Sequence, residues 1–268
     1  FYIQDKMEFD DMVINVGVRY DQFDPESVYP SDRRNPANQL ILPDSMMSLY
    51  PQAPVISQIS PRVGFAYQLG GQAVLHFSYG HFFQMPPMYA MYENNSFLVD
   101  PNNFVTRMGN TLLEPEKTIT YEIGLWQELN QIMALDVALF YRDIYNLLTT
   151  KTISTYNQVK YGLYSNKDYG NVRGLELKLD LAMGQLKGMV NYTLQYTRGN
   201  ADSPGQTFDR AGNNQDPVNR LIPMGWDQRH TLNGSLIYGT EKYGGSMTAY
   251  YNSGSPYTFA PQSESGLA

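Results

Sequence analysis

The chain has no cysteine and only 3 histidines among its 268 residues. That excludes disulfides, thiolate metal centres and cysteine nucleophiles together. Basic charge is also short: 19 Lys and Arg stand against 26 Asp and Glu, a net charge of −7, which argues against a nucleic-acid surface. No apolar run approaches the ~18 residues of a membrane-crossing helix. A transmembrane barrel survives that exclusion, because its strands alternate and average to polar. There is no initiator Met, basic n-region or apolar h-region ahead of Phe1-Tyr2-Ile3-Gln4, so no signal peptide is visible. The small polar stretch 261–268 reads as a loop, and the expectation is a piece of a longer protein. What is abundant is tyrosine, 22 against 12 Phe. Tyrosine favours strands and boundaries between water and apolar matter, which tilts the composition towards β.

Period-2 alternation marks ten strands: 2–9, 13–23, 61–69, 73–83, 118–129, 132–148, 172–181, 188–198, 228–239 and 244–252. The connections alternate strictly. Short turns at 10–12, 70–72, 130–131, 182–187 and 240–243 are separated by long segments at 24–60, 84–117, 149–171 and 199–227. Loops beyond about 12–15 residues are unusual in compact soluble domains. Tight turns on one side and long loops on the other suit an up-and-down outer-membrane barrel, and strands near ten residues suit a tilted crossing.

The alternation also sorts by chemistry. One parity carries uncharged rows such as Ile14, Val16, Val18, Tyr20 and Leu175, Leu177, Leu179, Leu181. The other carries Arg19, Asp21, Arg62, Glu122, Asp136, Arg142, Glu176, Lys178, Asp180 and Arg229. A Lys or Arg turned to lipid costs roughly 2–4 kcal/mol at the bilayer midplane, so the first parity is the lipid face. Tyr20, Tyr79, Tyr141, Tyr196, Tyr238 and Tyr251 recur near strand ends, as an interfacial aromatic girdle requires. The first strand departs from this: Gln4, Lys6 and Glu8 share a face while Asp5 takes the other, which calls for a bulge or a position outside the hydrocarbon. A soluble β-sandwich alternates too, but it explains neither the girdle nor the loop asymmetry.

Seven segments in order resemble the barrel of TonB-dependent outer-membrane receptors. They are Tyr2-Ile3-Gln4-Asp5-Lys6 with Gly17-Val18-Arg19-Tyr20-Asp21; Ser60-Pro61-Arg62-Val63-Gly64; Tyr79-Gly80-His81-Phe82-Phe83-Gln84-Met85-Pro86; Leu113-Glu114-Pro115-Glu116-Lys117 with Tyr121-Glu122-Ile123-Gly124; Asn171-Val172-Arg173-Gly174-Leu175-Glu176; Trp226-Asp227-Gln228-Arg229-His230; and Ser253-Gly254-Ser255-Pro256-Tyr257-Thr258. The closest flavour is that of receptors with a carboxypeptidase-regulatory-like N-terminal domain. The resemblance implies an all-β, antiparallel barrel of about 22 strands, plugged by a globular domain. It also implies uptake of a small nutrient energised by TonB, in a Gram-negative outer membrane. On that reading residues 1–268 form a partial barrel domain of about ten strands, with plug, early strands and closing strand lying elsewhere. The implied partners are outer-membrane lipid, the protein's own plug domain and TonB, with no cofactor.

The candidate lumen-lining residues are Arg19, Asp21, Arg62, Glu122, Arg142, Glu176, Lys178 and Asp180, read first as pairs within a polar lumen, with Glu122 and Arg142 a diagonal pair across adjacent strands. Gly17, Gly64, Gly80, Gly124 and Gly174 fall on the same parity, where they relieve crowding. Met85, Met88 and Met91 have the softness for Cu(I), but their spacing behind two prolines reads as a short helix with packed thioethers. Residues 209–216 offer oxygen ligands without the calcium-loop spacing and read as an Asn/Asp turn. Tyr89, Tyr92, Phe97 and Phe104 either stack on a glycan or pack a loop core. No nucleophile elbow, phosphate-binding Gly loop or histidine cluster suggests catalysis or a metal site. A passive porin or adhesin barrel shares this strand grammar, and a soluble glycan-active β protein remains the more distant alternative.

Overall fold

The computed structural model describes residues 1–38, 42–43, 45–201, 203–216 and 220–257. Twelve strands and two short helices follow one another: β1 (Tyr2–Glu8), β2 (Met12–Phe23), β3 (Ile56–Leu69), β4 (Ala73–Gln84), α1 (Met88–Tyr92), β5 (Arg107–Met108), β6 (Glu116–Asn130), β7 (Met133–Ser154), β8 (Lys160–Met183), β9 (Leu186–Gly199), α2 (Gln206–Gly212), β10 (Ile222–Pro223), β11 (His230–Gly239) and β12 (Gly244–Asn252). Ten of the strands form a single antiparallel sheet in chain order, β1-β2-β3-β4-β6-β7-β8-β9-β11-β12. No described helix is long and apolar enough to cross a membrane, whereas the strands are long enough to do so.

Residues opposite one another in an antiparallel ladder point to the same face, so the pairing registers settle the parity. Gln4, Gly17, Arg62, Gly80, Thr120, Arg142, Val172 and Thr197 are successive partners across eight strands. This face encloses a trough and is the concave one. The next row along, Val16, Val63, Tyr79, Tyr121, Tyr141, Arg173 and Tyr196, lies on the convex face. Three of its tyrosines touch, with ring centroids 5.1 Å apart for Tyr79 and Tyr121 and 6.4 Å for Tyr121 and Tyr141. β1 keeps its register from Tyr2 to Glu8, so no bulge is present and Asp5 shares the convex face with its partner Val16.

Two glycines show what the concave face needs. A Cβ on Gly124 would lie 2.3 Å from Nε2 of His76, and one on Gly174 would lie 2.5 Å from Cζ of Phe140. Each glycine is the slot into which a ring from the neighbouring strand lies.

The segment 149–171, expected as a loop, is mostly strand. β7 and β8 run on together to Ser154 and from Lys160, turning at 155–159. The β-branched run Thr149-Thr150-Lys151-Thr152-Ile153 supports that extension. Register shifts between Ile144 and Leu148, with Asn146 at φ +60°, bend the hairpin where it leaves the sheet. Similarly, β3 begins at Ile56, earlier than the sequence pattern indicated.

The projecting hairpin is the post on which the long loops pack. Ala90, Met91 and Leu113 from the segment after β4 bury against Leu148 and Tyr164, while Phe97 and Met108 bury against Tyr161 and Leu163. α2 inserts Phe208 beside Gly162, and Thr150 Oγ1 donates to Pro204 O at 2.8 Å. Most of the largest fully buried side chains therefore lie in this loop cap, whereas the convex sheet face leaves Leu139, Ile123, Val190 and Met247 exposed. An apolar face without a protein partner is what lipid solvates.

Candidate functional site

Four of the proposed lumen residues line one feature. Arg19, Arg62, Glu122 and Arg142 bound a trough of about 920 Å³ on the concave face of β1 to β7. Asp21 is bound to Arg19, with its Oδ1 accepting from Nε at 2.9 Å and lying 2.8 Å from Nη2. Glu176, Lys178 and Asp180 lie on the same face further along the sheet and outside the trough, with Lys178 Nζ 3.0 Å from Asp180 Oδ2. Both of these pairs run along a strand, between residues two apart.

The expected Glu122–Arg142 ion pair is not made. The two residues are diagonal neighbours, since Arg142 opposes Thr120 and Phe140 opposes Glu122. The Arg142 guanidinium instead lies over the Phe140 ring, 4.7 Å from its centroid. Arg62 does the same over Phe82 at 4.8 Å, in space left open by Gly80. Stacking on a nearby ring, two residues along the same strand for Arg142 and diagonally across to β4 for Arg62, keeps each cation beside an aromatic face and leaves its N–H fork towards the trough. Chemically, the trough offers cationic hydrogen-bond donors beside one carboxylate, an arrangement suited to holding polar protein or solute groups.

The loop cap accounts for the other candidates. Met91 is buried and Met85 packs against the same cluster, but Met88 is exposed, so the three thioethers do not converge. Among the described residues no group of three His, Asp or Glu is placed to hold a metal ion. Residues 209–216 begin inside α2, where Asp209 Oδ1 takes Arg107 Nη2 at 2.7 Å and Asn213 closes the helix. That bond holds the Arg107 guanidinium above its ordinary pKa. Phe97 packs on Tyr50, Phe104 on Phe208, and Tyr92 donates to Pro25 O at 3.0 Å, while Tyr89 keeps an exposed ring edge-on to Tyr164. Three of these four aromatics therefore serve the cap's own core.

Two polar centres escaped the sequence reading. The buried Asp227 carboxylate accepts from the Thr197 backbone N–H at 2.8 Å and from Arg229 Nε at 3.0 Å, tying β9 to the start of β11. In the cap, Tyr161 donates to Arg33 O and Arg33 Nη2 to Asn110 Oδ1, both at 2.8 Å. Burial lowers the pKa of the Arg33 guanidinium and pushes the Tyr161 phenol, on the projecting part of the hairpin, up to about 12. The bare Trp226-Asp227-Gln228-Arg229-His230 motif was a signal for the first centre; nothing local announced the second.

Comparison with solved structures places the fold among outer-membrane transport proteins. The outer membrane transporter YddB from Escherichia coli superposes with a TM-score of 0.62 at 12% identity, over 94% of this chain and 32% of that one. The FrpB iron transporter from Neisseria meningitidis (F3-3 variant) gives 0.56 at 16%, over 90% and 30%. The ferric-catecholate import receptor Fiu from E. coli K12 gives 0.55 at 18%, over 94% and 33%. The chain thus spans about a third of the length of these structures. Comparison with curated protein sequences gave no match. The profile of the family described as TonB dependent receptor-like, beta-barrel matches residues 1–266. A sheet in chain order, apolar outside and polar inside, and a profile match over nearly every residue lead to one assignment: the chain belongs to the TonB-dependent receptor β-barrel family, whose members are barrels of the Gram-negative outer membrane.

Proposed function

We propose that residues 1–268 are a partial barrel domain of an energised uptake receptor, whose plug domain and remaining strands complete a closed wall around the trough. The family match over residues 1–266 carries the reading. A sheet open at β1 and β12 supports it, because unpaired strand edges are not tolerated in hydrocarbon. The trough residues Arg19, Arg62, Glu122 and Arg142 then face the lumen, where guanidiniums stacked on Phe82 and Phe140 meet the plug or the passing solute. Glu176, Lys178 and Asp180 continue that lining as a hydrated charge row. TonB supplies work to the plug, and a small nutrient is the cargo.

A barrel of about 22 strands is wide enough to conduct unless something fills it. The full-length protein in a planar bilayer should therefore show little steady conductance, and deletion of its plug should open large channels. In cells, cargo uptake should stop without the energy-coupling complex while surface binding persists. A full-length protein that conducts steadily and transports without that complex is a passive pore, and the reading fails.

A further inference from the structure

The long segments that follow β2 and β4 meet in the loop cap and leave a small space between them. The first is held as a narrow ladder: Val28 bridges Gln52, Ala53 N donates to Ser27 O at 2.8 Å and Ser31 N to Leu49 O at 2.8 Å. The second folds back on itself, with Gly109 N donating to Glu93 O at 2.7 Å and Asn110 N to Ala90 O at 2.9 Å. A Cβ on Gly109 would lie 2.7 Å from Met91 O, so that close approach needs glycine. Between the two walls is a cavity of about 20 Å³, whose lining includes Val28, Tyr29, Arg33, Phe97, Met108 and Thr111. One water-sized occupant needs roughly 10–15 Å³, so the space suits a single atom-sized ligand and no larger solute.

The polar groups at this cavity are donors short of an acceptor. Arg33 makes one side-chain hydrogen bond, to Asn110 Oδ1, and its guanidinium carbon lies 6.0 Å from the Tyr29 ring centroid. No carboxylate among the described residues pairs with it. The adjacent Asp32 spends Oδ1 on the Arg34 N–H at 2.9 Å, and the exposed Glu93 lies against the Tyr164 phenol. Burial lowers the Arg33 pKa, as it does for a cation with no counter-ion. The Thr111 hydroxyl, on the opposite wall, is buried and has no hydrogen-bond partner. A water would partner that hydroxyl but leave the buried charge uncompensated. An anion answers both, because the hydroxyl and the guanidinium N–H groups all donate.

We infer that this cavity binds one monatomic anion, chloride, between the Arg33 guanidinium and the Thr111 hydroxyl. Val28, Phe97 and Met108 supply apolar walls, and low polarity strengthens both contacts. The ion joins the segment after β2 to the segment after β4, beside Tyr161, whose hydroxyl donates to Arg33 O at 2.8 Å. It is thus a structural ligand of the loop cap, independent of what the barrel carries.

The test uses the full-length protein purified in detergent and measures amide hydrogen exchange in sodium chloride and in sodium gluconate at equal ionic strength. Gluconate is monovalent but too large for the cavity, so screening is matched and occupancy is not. Exchange in 24–38 and 107–113 should be about tenfold slower in chloride, as expected for a ligand that binds only the closed cap. Residues 175–181 in the sheet should exchange alike in both salts. T111V removes the hydroxyl and keeps the Arg33–Asn110 bond, whereas R33Q removes the cation; each should bring the ratio to about twofold or less. K151Q removes the same unit of charge from an exposed position on the hairpin and should keep the full ratio. If R33Q fails to assemble, T111V carries the measurement. Equal exchange of the wild-type cap in the two salts means that water fills the cavity, and the inference fails. A full ratio surviving in T111V or R33Q, or lost in K151Q, overturns it as well.

Discussion

Leu177 and Lys178 are neighbours in β8, yet the register puts them on opposite faces: Leu177 opposes Val137 and Tyr192, and Lys178 opposes Asp136 and Asn191. Leu177 lies between Arg173 and Met183, near the middle of the convex apolar band. Leu177→Arg places an unpaired guanidinium there, at a cost of roughly 2–4 kcal/mol, or about 30- to 700-fold in the folded population. Lys178→Leu removes an ammonium whose partner Asp180 is 3.0 Å away, but the two side chains are 49% and 41% exposed. A pair so accessible to water is screened and contributes about 0–1 kcal/mol. Both substitutions should be made in the full-length protein and scored by heat-modifiable gel mobility and by yield in the outer-membrane fraction. L177R should assemble poorly and K178L nearly as wild type. Equal damage, or the reverse order, would show that the convex face of β8 is not the lipid face.

Three further outcomes follow from contacts at other levels. Gly124→Ala sets a methyl 2.3 Å from the His76 ring and 3.1 Å from Ala138 Cβ, so overpacking should lower stability by about 1–3 kcal/mol; adding His76→Ala should restore the thermal midpoint, and no restoration refutes the slot. Phe208→Ala empties the space against Gly162 and Phe104 at a local cost of about 3–5 kcal/mol. Hydrogen exchange should then rise in 203–216 and at the tip of the β7–β8 hairpin with gel mobility unchanged, whereas protection equal to wild type would mean that α2 does not hold the cap. Burial raises the Tyr161 phenol from 10 to about 12, so the buried neutral phenol contributes to cap stability fully below pH 10 and that contribution is lost as pH climbs through 12. Exchange protection in 24–38 should fall across that window, and Tyr161→Phe should remove the dependence.

How much of this was legible in the sequence depends on whether the information was local. The antiparallel order, the five short turns and the two faces were readable because a period of two in Ile14 to Tyr20 or Leu175 to Leu181 needs no distant partner to be noticed. The extension of β7 and β8 was read as a long connection because it lies between the alternating runs 132–148 and 172–181, while the β-branched run 149–153 that argued for strand draws its support from residues 161–165 across the hairpin. The cap was illegible for the same reason. Met91 and Leu113, Phe208 and Tyr161 come from three separate segments, and nothing in any one says which face of which neighbour will cover it. At the trough, parity placed Arg62, Glu122 and Arg142 on one face correctly, but charge alone suggested an ion pair where Phe140 and Phe82 capture the cations. Parity is a backbone property fixed by pleat; pairing is a competition among side chains, won here by Phe140 on the same strand as Arg142 and by Phe82 on the diagonal from Arg62. A barrel wall can thus be uniform in its period while its side-chain pairing is decided contact by contact.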